Sequence, residues 1–253
     1  MANNVDKQNV TRGGVWETAK TIVYAILLAI VIRSLAFEPF NIPSGSMIPN
    51  LLVGDYLFVS KYSYGYSKHS LPFSPPLFSD RFMGKAPERG DVAVFKLPRD
   101  NDTDYIKRVV GMPGDRVQMV KGRVKINGTI VQRKRIENFI DFRVGKSWPQ
   151  YVEQLPNGRE YRIIEQFGDF SPLDNTGVYV VPKGHYFMMG DNRDNSADSR
   201  VQRGTDRVGF VPLENFVGRA EVIFFSTDGS SSIWEIWKWI PAIRFGRFFR
   251  IIQ

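Results

Sequence analysis

An uncharged stretch at residues 21–32 most restricts how this chain of 253 residues can fold. Twelve residues are too few to span a bilayer, but Trp16 and Phe37 bracket a longer apolar segment. As a helix, residues 16–37 would reach about 33 Å, enough for a hydrocarbon core of about 30 Å. The segment therefore predicts a membrane anchor.

A cleaved signal peptide is the alternative to a retained anchor. Ser34-Leu35-Ala36 has small residues at the −3 and −1 positions of a cleavage site, and the apolar length fits both interpretations. We favour a retained anchor. Lys7, Arg12 and Lys20 precede it, so the positive-inside rule predicts an N-terminus in the cytoplasm and a body on the other side.

Frequent turns beyond the anchor favour an all-β body. The chain contains 22 Gly and 15 Pro, and 43% of its residues are hydrophobic. The turns divide tracts rich in β-branched and aromatic residues, which is typical of short strands. Hydrophobic residues alternate over residues 116–131, around Asn127-Gly128, and predict a hairpin with a type I′ turn.

Composition divides the chain into five expected parts. They are a polar cytoplasmic segment (1–15), the transmembrane anchor (16–37), a β-rich core (38–131 and 178–230), an inserted polar β-rich subdomain (132–177) and a basic aromatic segment (231–253). The last part mixes Trp, Phe and Ile with Lys and Arg, which indicates an amphipathic element at a lipid interface. A helix that packs on its own domain is the alternative.

Residue counts exclude several kinds of chemistry. The chain has no Cys, so disulfides, thiolate nucleophiles and Cys-ligated zinc are excluded. Its two histidines, His69 and His185, are not at metal-ligand spacing. The net charge of +8 suits nucleic acid or an anionic membrane. We interpret the basic run at 121–135 as a solvated strand face, and therefore expect a phospholipid bilayer as partner and no nucleic acid.

A constrained turn at residues 41–49, Asn-Ile-Pro-Ser-Gly-Ser-Met-Ile-Pro, can present a hydroxyl group. Pro fixes φ and Gly permits positive φ, although any surface turn uses the same residues. A hydroxyl becomes a good nucleophile only when a base removes its proton. Neither histidine lies in a recognisable motif, but a lysine can act as the base if desolvation or a positive neighbour lowers its pKa.

Lys107 has suitable neighbours for that role. It lies in the strand-like stretch Tyr105-Ile106-Lys107-Arg108-Val109-Val110, with apolar residues beside it and Arg108 adjacent. A solvated strand lysine fits the same pattern, and periodicity leaves both interpretations open.

A polar loop at residues 190–200, Gly-Asp-Asn-Arg-Asp-Asn-Ser-Ala-Asp-Ser-Arg, is the third candidate stretch. A calcium loop starting at Asp194 is excluded, because Ser199 replaces the required Gly and Thr205 the required Glu. Asp198 and Arg200 can pair and brace the loop.

Taken together, these stretches resemble type I signal peptidases, the membrane-bound bacterial leader peptidases that use a Ser-Lys dyad. The motifs are P-S-G-S-M-x-P, Y-I-K-R-V-V-G-x-P-G-D and G-D-N-R-D-N-S-x-D-S-R. The resemblance covers the anchor and residues 40–55, 90–98, 105–115 and 190–211. It leaves residues 132–177 and the far C-terminus without a motif.

The resemblance implies a role for each matching residue. Ser46 would be the nucleophile, Lys107 the general base, and Ser44 the partner of the Ser46 N–H in an oxyanion hole. Ser196 would orient the lysine amine. Supporting roles would fall to Asp198, Arg200, Arg108 and Asp191. The substrate pocket would involve Phe40, Ile42, Leu57, Val94 and Ile106.

The same resemblance implies an activity and a location. The enzyme would remove signal peptides from exported preproteins after an Ala-x-Ala-like site, through an acyl-enzyme and without metal or cofactor. The peptide would bind as an added β-strand. The chain would cross the bacterial inner membrane once, with its body periplasmic or extracytoplasmic, near the protein export machinery. Some family members have two transmembrane helices, whereas this chain has room for one.

Two other functions fit parts of this sequence. A self-cleaving repressor can use a similar Ser-Lys site, but the chain has no helix-turn-helix and carries an anchor. A membrane-tethered β-rich adaptor would be expected to lose Ser46 or Lys107, and both are present.

Overall fold

A long N-terminal helix opens the fold. The computed structural model describes residues 9–68, 81–141, 144–230 and 235–253, so residues 1–8 and His69 lie outside the described part. Helix α1, Asn9–Leu35, begins before the expected position 16 and ends two residues short of Phe37. Its segment Trp16–Leu35 is long and apolar enough to cross a membrane.

Strands are the main regular structure in the remaining described chain, and the predicted all-β body is confirmed. The strands are, in chain order, β1 Phe37–Asn41, β2 Asp55–Ser60, β3 Val92–Lys96, β4 Asp104–Gly111, β5 Arg116–Val120, β6 Arg123–Ile126, β7 Thr129–Ile130, β8 Gln132–Asp141, β9 Lys146–Gln154, β10 Glu160–Ile164, β11 Tyr179–Val180, β12 His185–Met189, β13 Val211–Pro212, β14 Phe216–Ser226 and β15 Arg250–Ile251. A second helix, α2 Ile236–Ala242, precedes β15.

Three antiparallel sheets contain these strands. The main sheet has eight strands in the order β1-β2-β14-β3-β4-β12-β13, and β15 pairs with β14. The smaller sheets have the orders β10-β9-β8 and β11-β5-β6-β7. Because β14 pairs with both β2 and β3, it joins the N-terminal strands to β4, which carries Lys107.

Two tight turns shape the sheet that contains the predicted hairpin. Asn127 and Gly128 have φ values of 52° and 88°, the positive values that a type I′ turn requires. Lys121 and Gly122 also have positive φ values, 48° and 68°. The stretch from 116 to 131 therefore contains two turns and three strands, where a single hairpin was expected.

An apolar cluster lies beneath the constrained turn at residues 41–49, which we call the serine turn. Its members are Ile42, Met47, Leu51, Leu57, Val59, Val92, Val94, Ile106, Val217, Ala220 and Ile223. Met47 and Leu51 are completely buried. Full burial of one such side chain stabilises a fold by about 1.5–3 kcal/mol. These apolar residues therefore anchor the turn on the C-terminal side of Ser46.

The β10-β9-β8 sheet supports the polar loop at residues 190–200. Ile164 at the end of β10 forms a β-bridge with Asn192. Glu153 of β9 is fully buried, and accepts hydrogen bonds from Arg193 at 2.9 Å and from Tyr161 at 2.7 Å. This sheet lies within the segment expected to be inserted, and its contacts reach the candidate site.

The C-terminal segment divides into a face on the protein and an exposed face. Asp55 is completely buried, and Arg247 donates a hydrogen bond to it at 2.9 Å. Arg244 also lies against Asp55, at 3.7 Å. In contrast, Trp237 and Phe249 are largely exposed. Two arginines expected at a lipid surface thus contact the protein instead, while the aromatic side chains remain available.

Replacing Asp55 with Ala should strongly destabilise the fold. Asp55 also accepts hydrogen bonds from Ser226 and from the Leu52 N–H, both at 2.7 Å. Its loss leaves the Arg247 charge and these buried donors unpaired, which costs about 3–5 kcal/mol. Thermal unfolding in detergent, followed by circular dichroism, should show a clearly lower Tm. The exposed Asp206→Ala variant is the control, and equal Tm values for both would contradict the prediction.

Candidate active site

Ser46 lies in a short 3₁₀ turn, Gly45–Met47, that follows β1. Ser44, which precedes the turn, has an extended backbone, and Ser46 is 8% exposed. The Ile42 N–H donates to the Asp55 carbonyl at 2.9 Å, which closes the loop between β1 and β2. The buried residues on either side of the turn leave Ser44 and Ser46 facing a cleft.

The structure brings Lys107 and Ser46 together. The Lys107 Nζ and Ser46 Oγ atoms are 2.7 Å apart, and Nζ also donates to the Ile106 carbonyl at 2.9 Å. Lys107 is 3% exposed, so it is not a solvated strand lysine. A neutral amine can donate one N–H to the carbonyl and accept the serine proton with its lone pair.

Burial lowers the pKa of the Lys107 amine from about 10.5 to about 8. The carboxylates of Asp198 and Asp191 act in the opposite direction, but their effect is smaller. Arg108, the neighbouring cation, is engaged with Asp191. Of the two causes that the sequence left open, desolvation is therefore the dominant one.

Ser44 lies beside Ser46. Its Oγ atom is 3.4 Å from Ser46 Oγ, and its side chain lines the same cleft. The hydroxyl is exposed, so it can rotate to donate a hydrogen bond to a bound carbonyl oxygen.

Ser196 lies close to the serine turn, but its hydroxyl makes no hydrogen bond to the lysine amine. The side chain is 8% exposed, and its Oγ atom has no hydrogen-bond partner among the described residues. A Cβ atom added at Gly190 would lie 2.2 Å from Ser196 Oγ and 2.6 Å from the Ser46 carbonyl. The polar loop and the serine turn therefore meet at a point where only Gly fits.

Two buried ion pairs brace the loop. Arg200 binds Asp198 through Nε at 2.9 Å and through Nη2 at 2.8 Å. Arg108 binds Asp191 in the same bidentate way, with both contacts at 2.8 Å. Arg200 and its hydrogen bonds lower the pKa of Asp198 although burial alone would raise it. Each carboxylate is thus bound by a fixed guanidinium group through two charge-assisted hydrogen bonds.

The candidate cleft has a volume of about 400 Å³. Its lining comprises Phe40, Pro43, Ser44, Gly45, Ser46, Asp104, Tyr105, Ile106, Lys107, Asn195 and Ala197. Of the five predicted pocket residues, Phe40 and Ile106 line it. Ile42, Leu57 and Val94 are buried in the apolar cluster below and do not line this cleft.

Some residues at the site were not singled out from the sequence. The Lys107 Nζ lies 5.1 Å from the centre of the Tyr105 ring, and both side chains share one face of β4. That two-residue spacing could have indicated Tyr105. Asn192 contacts the serine turn, and Asn50 donates to Asp191 at 2.7 Å. Asn192 lies inside a quoted motif, whereas no sequence signal marks Asn50.

The described residues contain no group of three or more His, Asp or Glu arranged to hold a metal ion. The ring of His185 lies 3.0 Å from the Lys183 carbonyl. His69 falls outside the described residues.

Comparison with known proteins assigns the family. Residues 15–225 match the family model described as signal peptidase, peptidase S26. The chain is 42% identical to a signal peptidase I of Rickettsia typhi over 246 residues, covering 91% of each chain. It is 39% identical to that of Rickettsia canadensis over 262 residues, covering 97% of each.

A solved structure is also similar. The crystal structure of a signal peptidase I from Enterococcus faecalis is 25% identical and covers 53% of this chain and 97% of its own, with a TM-score of 0.31. The assignment rests on the sequence matches. The chain belongs to the signal peptidase family, peptidase S26, a family of serine peptidases.

Proposed function

We propose that this protein is a membrane-bound endopeptidase that removes N-terminal signal peptides from exported preproteins, with Ser46 as nucleophile and Lys107 as general base. The observation that carries this proposal is the 2.7 Å contact between a buried lysine amine and a serine hydroxyl. The low exposure of Lys107 favours the neutral amine that general-base catalysis needs.

The first chemical step is attack on the scissile carbonyl. The neutral Lys107 amine takes the proton of Ser46 as Oγ bonds to the carbonyl carbon. The carbonyl oxygen becomes an alkoxide, which the Ser46 N–H and the Ser44 hydroxyl stabilise. One such donor is worth roughly 10²–10³ in rate.

Collapse of this intermediate breaks the peptide bond. Lys107 gives its proton to the leaving amine, and the signal peptide stays attached to Ser46 as an ester. The neutral lysine then takes a proton from water, and the resulting hydroxide attacks the ester. The same proton returns to Ser46 Oγ, which frees the signal peptide and restores the enzyme.

The cleft suits an extended peptide with small side chains. Phe40, Tyr105 and Ile106 surround Ser46 with bulky groups in a space of about 400 Å³. Within the described chain, β1 pairs with β2 on one edge only, so its other edge can accept a peptide strand. These features support an Ala-x-Ala-like site, while Ile42, Leu57 and Val94 would act indirectly, by packing in the apolar cluster beneath the cleft.

The remaining predicted residues have supporting roles in this proposal. Asp198 with Arg200, and Asp191 with Arg108, hold the loop against the serine turn. Ser196 would turn its hydroxyl toward Lys107 when substrate binds, which would satisfy a buried group that has no partner among the described residues.

Helix α1 and an aromatic row support a membrane location. The row begins directly after α1 and comprises Phe37, Phe58, Phe224, Tyr56, Phe225 and Phe248. It leads to the exposed Phe249 in the C-terminal segment. Aromatic side chains favour the interface between lipid and water. In a bacterial inner membrane, the N-terminus would be cytoplasmic and the body would meet preproteins delivered by the export machinery.

A membrane-tethered adaptor without activity is the alternative function. It would have no need to bury a lysine beside a serine, because removing a lysine amine from water destabilises the fold. The geometry of Lys107 therefore favours the peptidase.

Ser46→Ala and Lys107→Ala should each reduce cleavage of a purified preprotein in detergent by about 10⁴-fold or more, since nucleophile and base act as one unit. The measurement is the rate at which mature product appears, checked by N-terminal sequencing at the Ala-x-Ala junction. The exposed Ser230→Ala and Lys183→Ala variants are matched controls. Full activity of Lys107→Ala would show that another base acts.

The pH dependence of kcat/KM should report the Lys107 amine. Its pKa is lowered to about 8, and only the deprotonated amine can act as base. The rate should therefore rise about tenfold per pH unit below pH 8 and level off above it. An inflection near 10.4, the value of a free lysine, or near 6.5, the value of a histidine, would contradict the mechanism.

Lipids brominated near the headgroup should quench the tryptophan fluorescence of the reconstituted full chain. Replacement of both Trp237 and Trp239 by Phe should remove part of this quenching, because we expect these exposed side chains to enter the interface. Trp148→Phe, in strand β9 of the β10-β9-β8 sheet, is the control. The proposed interfacial role would be wrong if only Trp16→Phe reduced the quenching.

A further inference from the structure

Asn192 lies where the polar loop meets the serine turn, and it makes two contacts with that turn. Its backbone N–H donates to the Ser46 carbonyl at 3.0 Å. Its side-chain Nδ2 donates to the Gly45 carbonyl, also at 3.0 Å. Asn192 is completely buried. Asn192 therefore holds the carbonyl groups of two successive residues, Gly45 and Ser46.

The Gly45 carbonyl accepts two hydrogen bonds, from Asn192 Nδ2 at 3.0 Å and from the Ile48 N–H at 3.2 Å, and together they determine the direction of the next N–H group. The Gly45 carbonyl and the Ser46 N–H belong to one planar trans peptide group, so they point in opposite directions. Gly45 and Ser46 line the cleft, whereas Asn192 is buried and does not line it. A Gly45 carbonyl directed at Asn192 thus turns the Ser46 N–H toward the cleft, where an oxyanion would form.

The backbone around Asn192 is itself fixed. The Ile164 N–H donates to the Asp191 carbonyl, and the Arg193 N–H donates to the Ile164 carbonyl, both at 3.0 Å. Asp191 is further held by the bidentate contact with Arg108. The β10-β9-β8 sheet therefore fixes the backbone on both sides of Asn192.

The Asn192 side chain carries a cost that its packing does not explain. Its Oδ1 atom is buried and has no hydrogen-bond partner among the described residues. An unsatisfied buried acceptor lowers the stability of the fold, a cost that an apolar residue would avoid. The Nδ2 contact with Gly45 is a functional reason to retain an amide here.

We propose that Asn192 is a positioning residue for the oxyanion hole, and that its side-chain amide aims the Ser46 N–H at the developing oxyanion. The inference rests on the proposed Ser46 chemistry and adds to it the residue that orients the backbone donor. Asn192 acts through the Gly45–Ser46 peptide group and does not touch substrate.

Asn192→Ala keeps the backbone contact with Ser46 but loses the contact with Gly45. We expect kcat to fall about 10- to 100-fold, below the 10²–10³ that loss of a complete oxyanion donor costs. KM for a preprotein should change less than threefold, because the ground-state carbonyl gains little from the hole. The inflection of the pH–rate profile should stay where it is in the wild type, since Lys107 is untouched.

A peptide aldehyde separates positioning from general structural damage. Ser46 Oγ bonds to the aldehyde carbon, its proton passes to the Lys107 amine, and the aldehyde oxygen becomes an alkoxide in the hole. Asn192→Ala should weaken aldehyde binding by the same factor as kcat. The corresponding peptide alcohol forms no such adduct, and its affinity should be unchanged.

Two further variants complete the experiment. Asn192→Asp has the same shape but lacks the amide donor, and its negative charge repels the Gly45 carbonyl, so kcat at neutral pH should fall at least as far as in Asn192→Ala. Asn215→Ala removes another buried amide, which donates to the Lys96 carbonyl at 2.8 Å, and it should lower Tm while leaving kcat and aldehyde affinity unchanged.

The inference is overturned if the Asn192 variants lose no more kcat than Asn215→Ala, or if aldehyde and alcohol binding weaken equally. Ser46→Ala distinguishes this failure from that of the proposed function. If Ser46→Ala is inactive while Asn192→Ala is fully active, the positioning role alone is wrong. If Ser46→Ala retains full activity, both the proposed function and the positioning role are wrong.

Discussion

The burial of one lysine amine is the constraint on which the rest of the site depends. Lys107 can act as a base only if its charged form is made unfavourable, and its strand and neighbours withdraw it almost completely from water. Two carboxylates nearby, Asp198 and Asp191, would counteract this by attracting the charged amine. Each is bound in a bidentate pair by an arginine, Arg200 or Arg108. Desolvation outweighs the attraction of both carboxylates and lowers the pKa of Lys107 to about 8.

The serine turn is fixed on more than one side, and each contact uses a different kind of interaction. Met47 and Leu51 fix it from below by apolar burial. Asn192 holds it through backbone carbonyl groups, and the absence of a side chain at Gly190 allows this close approach. The sheet that contains Glu153 supports that loop through the buried side chain of Arg193. A subdomain without a recognised motif thus contributes to the geometry at Ser46, because rigidity at a nucleophile must come from packed neighbours.

The sequence predicted the features that depend on local pattern. The apolar helix, the strand-rich body and the positive-φ turn at Asn127-Gly128 all follow from residue type and spacing. The proximity of Ser46 and Lys107 came from resemblance, since 61 residues separate them. Contacts such as that of Arg247 with Asp55 could not be predicted, because an arginine among aromatic residues suits a lipid surface equally well until its partner is known. Ile42, Leu57 and Val94 show a related limit: resemblance to a family assigned them to the substrate pocket, but it does not distinguish the wall of a cleft from the core beneath it.

The connection between α1 and the serine turn determines how far Ser46 lies from the end of that helix. Between the end of α1 and the serine turn lie only Ala36 and strand β1, which is five residues long. A strand of that length spans about 17 Å. Because β1 is hydrogen-bonded to β2 along its whole length, the connection is rigid. The Tyr66 hydroxyl and the Lys61 N–H bind the carbonyls of Leu35 and Ala36, which fixes the junction itself. If α1 spans the bilayer, Ser46 is held within a short, fixed distance of its surface. A peptide that leaves the membrane in extended form would then reach the free edge of β1 before it could fold, which is the order of events that removal of a signal peptide requires.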